Sequence, residues 1–225
     1  MHAARRCSEL ASLPRPSLGV RLRQRARWLV KLTLWQPLTT LLDRLGFTLE
    51  TVQTLCIDPE AGGAGGMLLV ISTTELDLWG RRRLSTVRGL RDPTFRLWPP
   101  ALAYGADPRI DARRELLEEA LDDAPGIDRF ECVARYRSGR FGQFDGRVYR
   151  VRCRMTEWPM RAETAEGVSC WIPVAEFVHE LQTAPVQPAS KAVLGALLED
   201  RPLPPFARVC TPPSAVAGSD HSGDE

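Results

Sequence analysis

The chain is poor in histidine and has no closely spaced cysteines, which narrows the kinds of site it can build. Its three histidines, His2, His179 and His221, lie in the two tails and in one late predicted helix, so neither a histidine-based triad nor a zinc centre is expected. The six cysteines include no Cys-x-x-Cys pair and no signal peptide is recognisable, which favours reduced thiols in a cytoplasmic protein. Carboxylates are therefore the expected ligands for a metal ion.

A strong excess of charge and a long apolar run are also missing. The net charge of +2 and the pI near 8.3 do not indicate dedicated nucleic-acid binding. Lys31, Gln36 and Pro37 interrupt the apolar part of the amino-terminal segment, which is too short to span a bilayer. With 225 residues, 44% of them hydrophobic, the chain can still bury one sizeable core.

Positive charge is concentrated in residues 1–46. Residues 1–42 hold eight basic side chains against one acid, Glu9, and leucines recur there near helical spacing. Pro37 is expected to split this basic amphipathic segment into two helical pieces. A membrane-surface helix, a helix packed on the domain or on a second copy, and an Arg-rich targeting peptide are the three interpretations. Packing is favoured, because the leucines run directly into the first predicted strand; it would bury Leu29, Leu38, Leu41 and Leu45.

An acidic helix is the most informative feature of the chain. Asp107 and Pro108 form a typical N-cap and first helical position, and the apolar residues that follow predict a helix over residues 108–121. On such a helix Glu115, Glu118 and Glu119 occupy neighbouring surface positions. Pairing with Arg114, together with a hard cation such as Mg²⁺ or Mn²⁺, would neutralise them, whereas a solvated acidic helix face is the alternative.

This helix resembles the second half of the Nudix hydrolase signature, in which Gly, five residues, Glu and seven residues precede Arg-Glu-U-x-Glu-Glu-x-Gly-U, U being a bulky aliphatic. The matching residues are Arg114, Glu115, Leu116, Glu118 and Glu119. The first half departs from the pattern: Pro100 stands in place of the first glycine and Ala106 in place of the first glutamate. Later, Leu121 and Asp122 replace the second glycine and the last aliphatic residue.

The order of predicted elements along residues 48–200 resembles the same family. Strands are predicted at residues 51–57 and 67–72 as a hairpin, and at 130–137 and 147–155 around a Gly-rich loop. An acidic segment at 163–166, a Trp-Ile-Pro strand end at 171–173 and a closing helix at 191–200 follow. The resemblance implies an α/β (α+β) fold over residues 47–200, a Nudix-type α/β/α sandwich with a mixed β-sheet. The Pro-rich tail, residues 201–225, is predicted to be disordered.

The resemblance further implies a metal-dependent hydrolase that cleaves a diphosphate linkage in a nucleoside diphosphate derivative, with Mg²⁺ or Mn²⁺ as cofactor. Glu115, Glu118 and Glu119 would be metal ligands. Glu118, Glu166 (or Glu163) as general base, and Arg114 as the group that orients a glutamate would be the catalytic residues. The substrate-binding residues would be Arg150, Arg152 and Arg96. A half-exposed strand facing water explains Arg150 and Arg152 equally well.

The departures from the signature keep a second function open. Pro99 and Pro100 remove two backbone donors at the opening turn, and Ala106 removes a carboxylate. A catalytically silent Nudix-fold module that binds nucleotide or regulates another protein is therefore the alternative, and an unrelated α+β fold is the third. The expected partner is a nucleotide or another diphosphate small molecule. A homodimer, and peripheral membrane contact by the amino-terminal segment, both remain open.

Overall fold

A mixed seven-stranded sheet organises the part of the chain that the computed structural model describes, which is residues 26, 29–62, 65–76, 82–97, 100–139, 141–158, 167–183 and 188–210. The sheet strands are β1 (Leu49–Asp58), β2 (Met67–Leu76), β3 (Arg82–Ser85), β4 (Val87–Leu90), β7 (Glu131–Ser138), β8 (Phe144–Arg152) and β9 (Gly167–Pro173). Two further strands, β5 (Pro93–Leu97) and β6 (Pro100–Tyr104), form a separate hairpin. The helices are α1 (Gln36–Arg44), α2 (Pro108–Glu119), α3 (Val174–Thr183) and α4 (Pro188–Leu198).

Strand β1 lies at the centre of the sheet. It pairs in parallel with β8 from Leu49↔Phe144 to Ile57↔Arg152, and β7 completes that side as an antiparallel neighbour of β8. On its other side β1 pairs antiparallel with β4 and, only at its last two residues, with β2. The predicted hairpin is therefore present but short, because β2 continues away from β1 to pair with β9 and β3.

Alternating side chains of the strands feed two apolar layers, one on each face of the sheet. On one face, Leu55 and Val148 pack with α3 and α4 through residues such as Phe177 and Leu194. The other face packs against α2, and its main members are Val52, Cys56, Leu69, Ala112, Leu116 and Trp171. This arrangement confirms the predicted α/β/α sandwich with a mixed sheet.

Helix α2 forms for the local reasons that the sequence indicates. The Asp107 carboxylate accepts the backbone N–H of Arg109 at 3.0 Å, and Pro108 occupies the first helical position. Buried Ala112 and Leu116 fix the helix against the sheet. The helix ends at Glu119, two residues before the predicted end at 121, where Leu121 turns into the core.

The amino-terminal helix differs from its prediction in two respects. A π-helical turn, Lys31–Trp35, leads directly into α1, so Pro37 changes the hydrogen-bonding pattern of the helix without splitting it. The expected burial of its leucines is wrong: the exposed fractions are 59% for Leu29, 49% for Leu38, 54% for Leu41 and 62% for Leu45. The reason is that α1 faces the domain with its polar side. Among the described residues, no helix combines the length and apolar character needed to cross a membrane.

The first part of the predicted disordered tail is instead attached to the sheet. Arg208 forms an antiparallel bridge with Arg135 of β7, with both backbone hydrogen bonds at 2.8 Å. A disulfide joins Cys132 of β7 to Cys210. The expectations of disorder at residues 201–210 and of a reduced thiol at these two cysteines are therefore wrong, because backbone pairing holds the segment beside β7. Residues 211–225 lie outside the described part of the chain.

Candidate functional site

Glu115, the first of the three glutamates, is buried beneath strand β4. Its exposed fraction is 8%, and its carboxylate occupies the space where any side chain of Gly89 would have to lie. A Cβ built on Gly89 would stand 1.9 Å from the Glu115 carboxyl carbon. The absence of a side chain on β4 therefore lets α2 approach this strand closely.

The other two glutamates take different directions. The Glu119 carboxylate returns to β4, where it accepts the backbone N–H of Arg88 at 3.0 Å. Its own backbone carbonyl accepts the hydroxyl of Ser169 at 3.1 Å, which ties the end of α2 to β9. The Glu118 side chain projects outward and is more than half exposed. The three carboxylates therefore line one side of α2 without converging on one point.

Arg114 is the cation at the centre of this acidic surface. Its guanidinium lies 2.8 Å from the Glu115 carboxylate and 3.0 Å from that of Glu118. It also lies 3.5 Å from Asp92 and 3.9 Å from Asp111. One positive group therefore faces four carboxylates, and although Asp111 has a second cationic partner, the surface keeps an excess of negative charge.

Burial dominates the electrostatic environment of Glu115. Burial raises the pKa of its carboxyl above the ordinary value, and this outweighs the opposing attraction of Arg114. The neighbouring charge of Glu118 adds to the rise in pKa. The anionic form of Glu115 is thus not fully compensated by the protein groups around it.

A buried arginine fixes the start of α2. The guanidinium of Arg91 is ion-paired with Glu50 of β1 at 2.5 Å and with Asp111 of α2 at 2.8 Å. It donates to the carbonyl of Gly105 and lies over the ring of Tyr104, 5.1 Å from its centroid. These contacts join β1, the hairpin end and α2, so they set the position of the helix that carries the glutamates.

A concavity lies on the outer side of α2. Its volume is about 680 Å³, and its walls combine apolar side chains with two guanidinium groups and one carboxylate. It is lined by Ile110, Arg113, Arg114, Leu117, Glu118, Gly126 and Ile127. Arg114 and Glu118 therefore belong both to the acidic surface and to the lining of this open concavity.

The predicted metal ligands are only partly brought together. Within the described ranges, no three Asp, Glu, His or Cys side chains are grouped so that they could hold a metal ion. Each of the three glutamates instead has a protein partner: Arg114 for Glu115 and Glu118, and the backbone of Arg88 for Glu119. Arg114 pairs with Glu118, as the sequence predicts, and it also pairs with Glu115. The predicted general base, Glu166, and its alternative, Glu163, lie outside the described residues.

The predicted substrate-binding arginines are not brought to the glutamates. Arg150 lies on the sheet face that carries α4, and its guanidinium donates to the carbonyl of Leu197 at 2.9 Å. Arg152, two residues along β8, follows on the same face and is exposed, and Arg96 is exposed on β5. The expectation that Arg150 and Arg152 join the carboxylate site is at odds with this placement, because the glutamates lie on the other face.

The contacts that Arg88, Gly89 and Arg91 make with α2 were not predicted from the sequence. A glycine inside a short strand is the one signal that could have indicated them, since it often marks close approach of another group. The two positions that depart from the first half of the signature lie before α2. Pro100 begins β6 opposite Leu97, and Ala106 lies in an exposed bend.

No family model matches the sequence, and no curated protein matches it significantly. The structure is similar to that of the C-terminal domain of mouse MUTYH, crystallised with human PCNA, at 14% identity and a TM-score of 0.43, covering 69% of this chain and 92% of that one. A Nudix hydrolase from Alicyclobacillus acidocaldarius is similar at 14% identity and a TM-score of 0.47, with 68% and 91% covered. The Nudix domain of Shewanella oneidensis NrtR, crystallised with ADP ribose, is similar at 12% identity and a TM-score of 0.41, with 59% and 77% covered. These likenesses concern the fold alone.

Proposed function

We propose that the chain is a divalent-cation-dependent hydrolase that cleaves a diphosphate linkage in a nucleoside diphosphate derivative. The resemblance of residues 114–119 to the Nudix signature suggests the reaction class. The observation that carries the proposal is the charge balance around Arg114, whose guanidinium lies within 3.9 Å of four carboxylates, three of them on α2 and the fourth on Asp92. Such a surface repels a bare diphosphate, so an anionic substrate needs a cation to approach it.

The chemistry of the donor set fits this cofactor. Glu115, Glu118 and Glu119 offer only carboxylate oxygens, which are the ligands that Mg²⁺ and Mn²⁺ prefer. The raised pKa of Glu115 supports the same conclusion, because a buried, under-compensated carboxylate gains from a nearby cation. To hold the metal ion, these three side chains, which do not converge in this structure, would have to turn toward one point, and the ion would have to compete with Arg114 for Glu115 and Glu118. When bound, the ion would screen the diphosphate charge and activate water.

The remaining residues have roles that follow from their contacts. Arg114 holds the Glu115 carboxylate at 2.8 Å and so positions it by a charge-assisted hydrogen bond. Ile110, Leu117 and Ile127 give the adjoining concavity an apolar wall that suits the organic part of a substrate. Glu166 is retained in the proposal as the general base. Arg150 and Arg152 are left out of it, because the α4 face is remote from these groups.

A silent nucleotide-binding module is the second candidate, and one observation favours it. Each of the three glutamates already has a protein partner, while Ala106 and Pro100 supply neither the carboxylate nor the flexible turn of the full signature. In that case the fold would bind a nucleotide without cleaving it.

A panel of nucleoside diphosphate derivatives incubated with Mg²⁺ or Mn²⁺ and assayed for phosphate-bond cleavage tests the proposal. Wild-type protein should turn over at least one of them, and only with the cation. Glu118→Gln and Glu119→Gln should each slow cleavage roughly a hundredfold or more, since a catalytic metal supplies several kcal/mol. The matched control is Glu176→Gln, an exposed glutamate at the start of α3, on the other side of the sheet.

Equilibrium binding separates the two candidates. Cation-dependent binding of a nucleotide without any turnover by wild type would replace the hydrolase with the silent module. Equal cleavage by Glu118→Gln, Glu119→Gln and Glu176→Gln would show that the carboxylate surface of α2 is not the catalytic site.

A further inference from the structure

Helix α1 docks on the domain through polar side chains. The amide nitrogen of buried Gln143 donates to the Gln36 side-chain oxygen at 2.6 Å and to the Thr39 hydroxyl at 3.4 Å. The side-chain oxygen of Gln143 accepts the backbone N–H of Phe141 at 3.0 Å, so this amide is used on both sides. Thr39 is the buried residue of α1. The side of the helix that is turned inward is therefore hydrophilic.

A second polar anchor lies one turn further along. The Asp43 carboxylate forms an ion pair with Arg137 of β7 at 2.5 Å and accepts the hydroxyl of Thr48 at 2.6 Å. Burial alone would raise the pKa of Asp43, but the Thr48 and Arg137 hydrogen bonds lower it below its ordinary value. The anchor therefore holds an ionised carboxylate at neutral pH.

The outward face of the same helix is apolar. Leu34, Leu38, Leu41 and Leu45 follow one another at spacings of four, three and four residues, which places them along one stripe. All four are exposed, and Trp35 beside them is partly exposed. An amphipathic helix normally buries this stripe and exposes its polar side. Here the orientation is inverted, so the stripe is available to something outside the domain.

Charge identifies the kind of partner. No acidic residue occurs between Glu9 and Asp43, whereas residues 1–42 contain eight basic residues. In the sequence, these basic residues precede or begin the helix that carries the exposed leucine stripe, and this combination complements a surface that has anionic groups outside and hydrocarbon beneath. A second copy of the chain would bring the same positive segments together and is disfavoured by their repulsion.

We infer that α1 docks the protein on an anionic lipid surface. The helix lies in the plane of the interface, with the stripe Leu34, Leu38, Leu41 and Leu45 inserted among the lipid chains and the basic residues among the headgroups. The polar anchors at Gln143 and Asp43 keep the folded domain attached to the helix. This inference does not depend on the proposed hydrolase activity.

Co-sedimentation of the full chain with vesicles tests this inference. Vesicles of phosphatidylcholine alone are compared with vesicles that also contain phosphatidylglycerol. The protein should bind the anionic vesicles, and high salt should release it because the Debye length falls to about 3 Å at 1 M ionic strength. Leu38→Glu combined with Leu41→Glu should weaken binding on the order of a hundredfold, since two inserted side chains are lost. Val209→Glu, an exposed apolar residue on another segment, is the matched control.

A milder pair, Leu38→Ser with Leu41→Ser, guards against a folding defect. Its melting temperature should match that of wild type, because both positions are exposed, while vesicle binding falls. The inference is overturned if the intact chain ignores anionic vesicles, or if the glutamate pair binds them as well as wild type. A melting temperature that drops sharply in the serine pair would also overturn it, by assigning the stripe to internal packing. A dimer in sedimentation equilibrium that the serine pair abolishes, without vesicle binding, would make a second copy the partner instead.

Discussion

The Glu115 carboxylate can occupy its position because Gly89 of β4 has no side chain. The Glu115 carboxylate fills the space above Gly89, and a methyl group there would meet the flexible end of this side chain and leave the backbone undisturbed. Close approach of this kind links the geometry of the acidic surface to one residue of β4.

Gly89→Ala is therefore expected to displace the Glu115 carboxylate at a small cost in stability. If Glu115 is a metal ligand, the rise in melting temperature on adding Mg²⁺ should shrink clearly in this variant, since ligand binding stabilises only the native state. Thermal shift with and without the cation measures the effect. Gly105→Ala is the control, because its Cβ would meet nothing closer than 3.9 Å. Equal thermal shifts in both variants and wild type would show that Glu115 takes no part in cation binding.

The pH dependence of stability gives an independent measure of the Glu115 environment. Because its pKa is raised in the folded state, Glu115 contributes most to stability at low pH, and that contribution is lost as pH rises through the folded pKa. Glu115→Gln removes the ionisation, so the stability of the variant should rise relative to that of wild type as pH increases from the ordinary pKa of a glutamate, about 4.3, through the raised folded pKa. Urea unfolding of both proteins across this range measures it. A constant difference in free energy of unfolding would contradict the assigned environment.

At the scale of elements, local sequence signals predict α2 and the longer strands β1, β2, β7 and β8, whereas the short strands β3 to β6 were not predicted. The Asp107 cap, the proline after it and the alternating strand residues act within a few positions, so the sequence alone contains their cause. The orientation of α1 was predicted wrongly, because its polar partner, Gln143, is 107 residues away from Gln36. An apolar stripe indicates that a helix has a preferred face, but only distant residues decide which face meets the domain.

The anchor at Asp43 should control how firmly α1 is attached. Asp43→Asn removes the charge that pairs with Arg137, at a cost of about 1 kcal/mol or less because Arg137 is half exposed. Because the pKa of Asp43 is lowered in the folded protein, the ion pair contributes to stability at pH values above the ordinary pKa of an aspartate. This contribution is lost as pH falls through the folded pKa. Limited proteolysis within residues 29–45 should become faster at neutral pH. Asp128→Asn, at an exposed position, is the control. An unchanged cleavage rate in Asp43→Asn would show that the contacts of Gln143 are sufficient to hold α1 on the domain.

At the scale of the molecule, the disulfide ties the end of the described chain to the edge of the sheet. Cys132 and Cys210 are 78 residues apart, so the link stabilises by up to about 4.5 kcal/mol in the chain-entropy model. Cys210→Ser should lower the melting temperature by roughly 10 °C. Thiol titration in denaturant should find two more reactive cysteines after reduction of wild type. No such increase, with an unchanged melting temperature in Cys210→Ser, would show that the link does not form in solution.

From the sequence, only the part of the candidate site that lies on helix α2 could be predicted. Residues 114–119 indicated the glutamates and Arg114, since all lie on two turns of α2. The alternation of β8 correctly groups Arg150 with Arg152, but the sequence does not say which helix covers their face, and they lie on the side of α4. The partners on β4 were missed for the same reason, because a three-layer arrangement decides which elements meet.

The parallel pairing of β1 with β8 also has a consequence for how the chain is made. Leu49 meets Phe144 and Ile57 meets Arg152, so the central strand finds its longest partner only after most of the domain has been synthesised. At about 5–20 residues per second, β1 waits roughly 5 to 20 seconds on a translating ribosome. During that interval the edge of β1 that later pairs with β8 has unpaired backbone groups and is open to wrong pairing. The topology therefore requires one edge of the central strand to stay free of wrong partners during synthesis, before the sheet is complete.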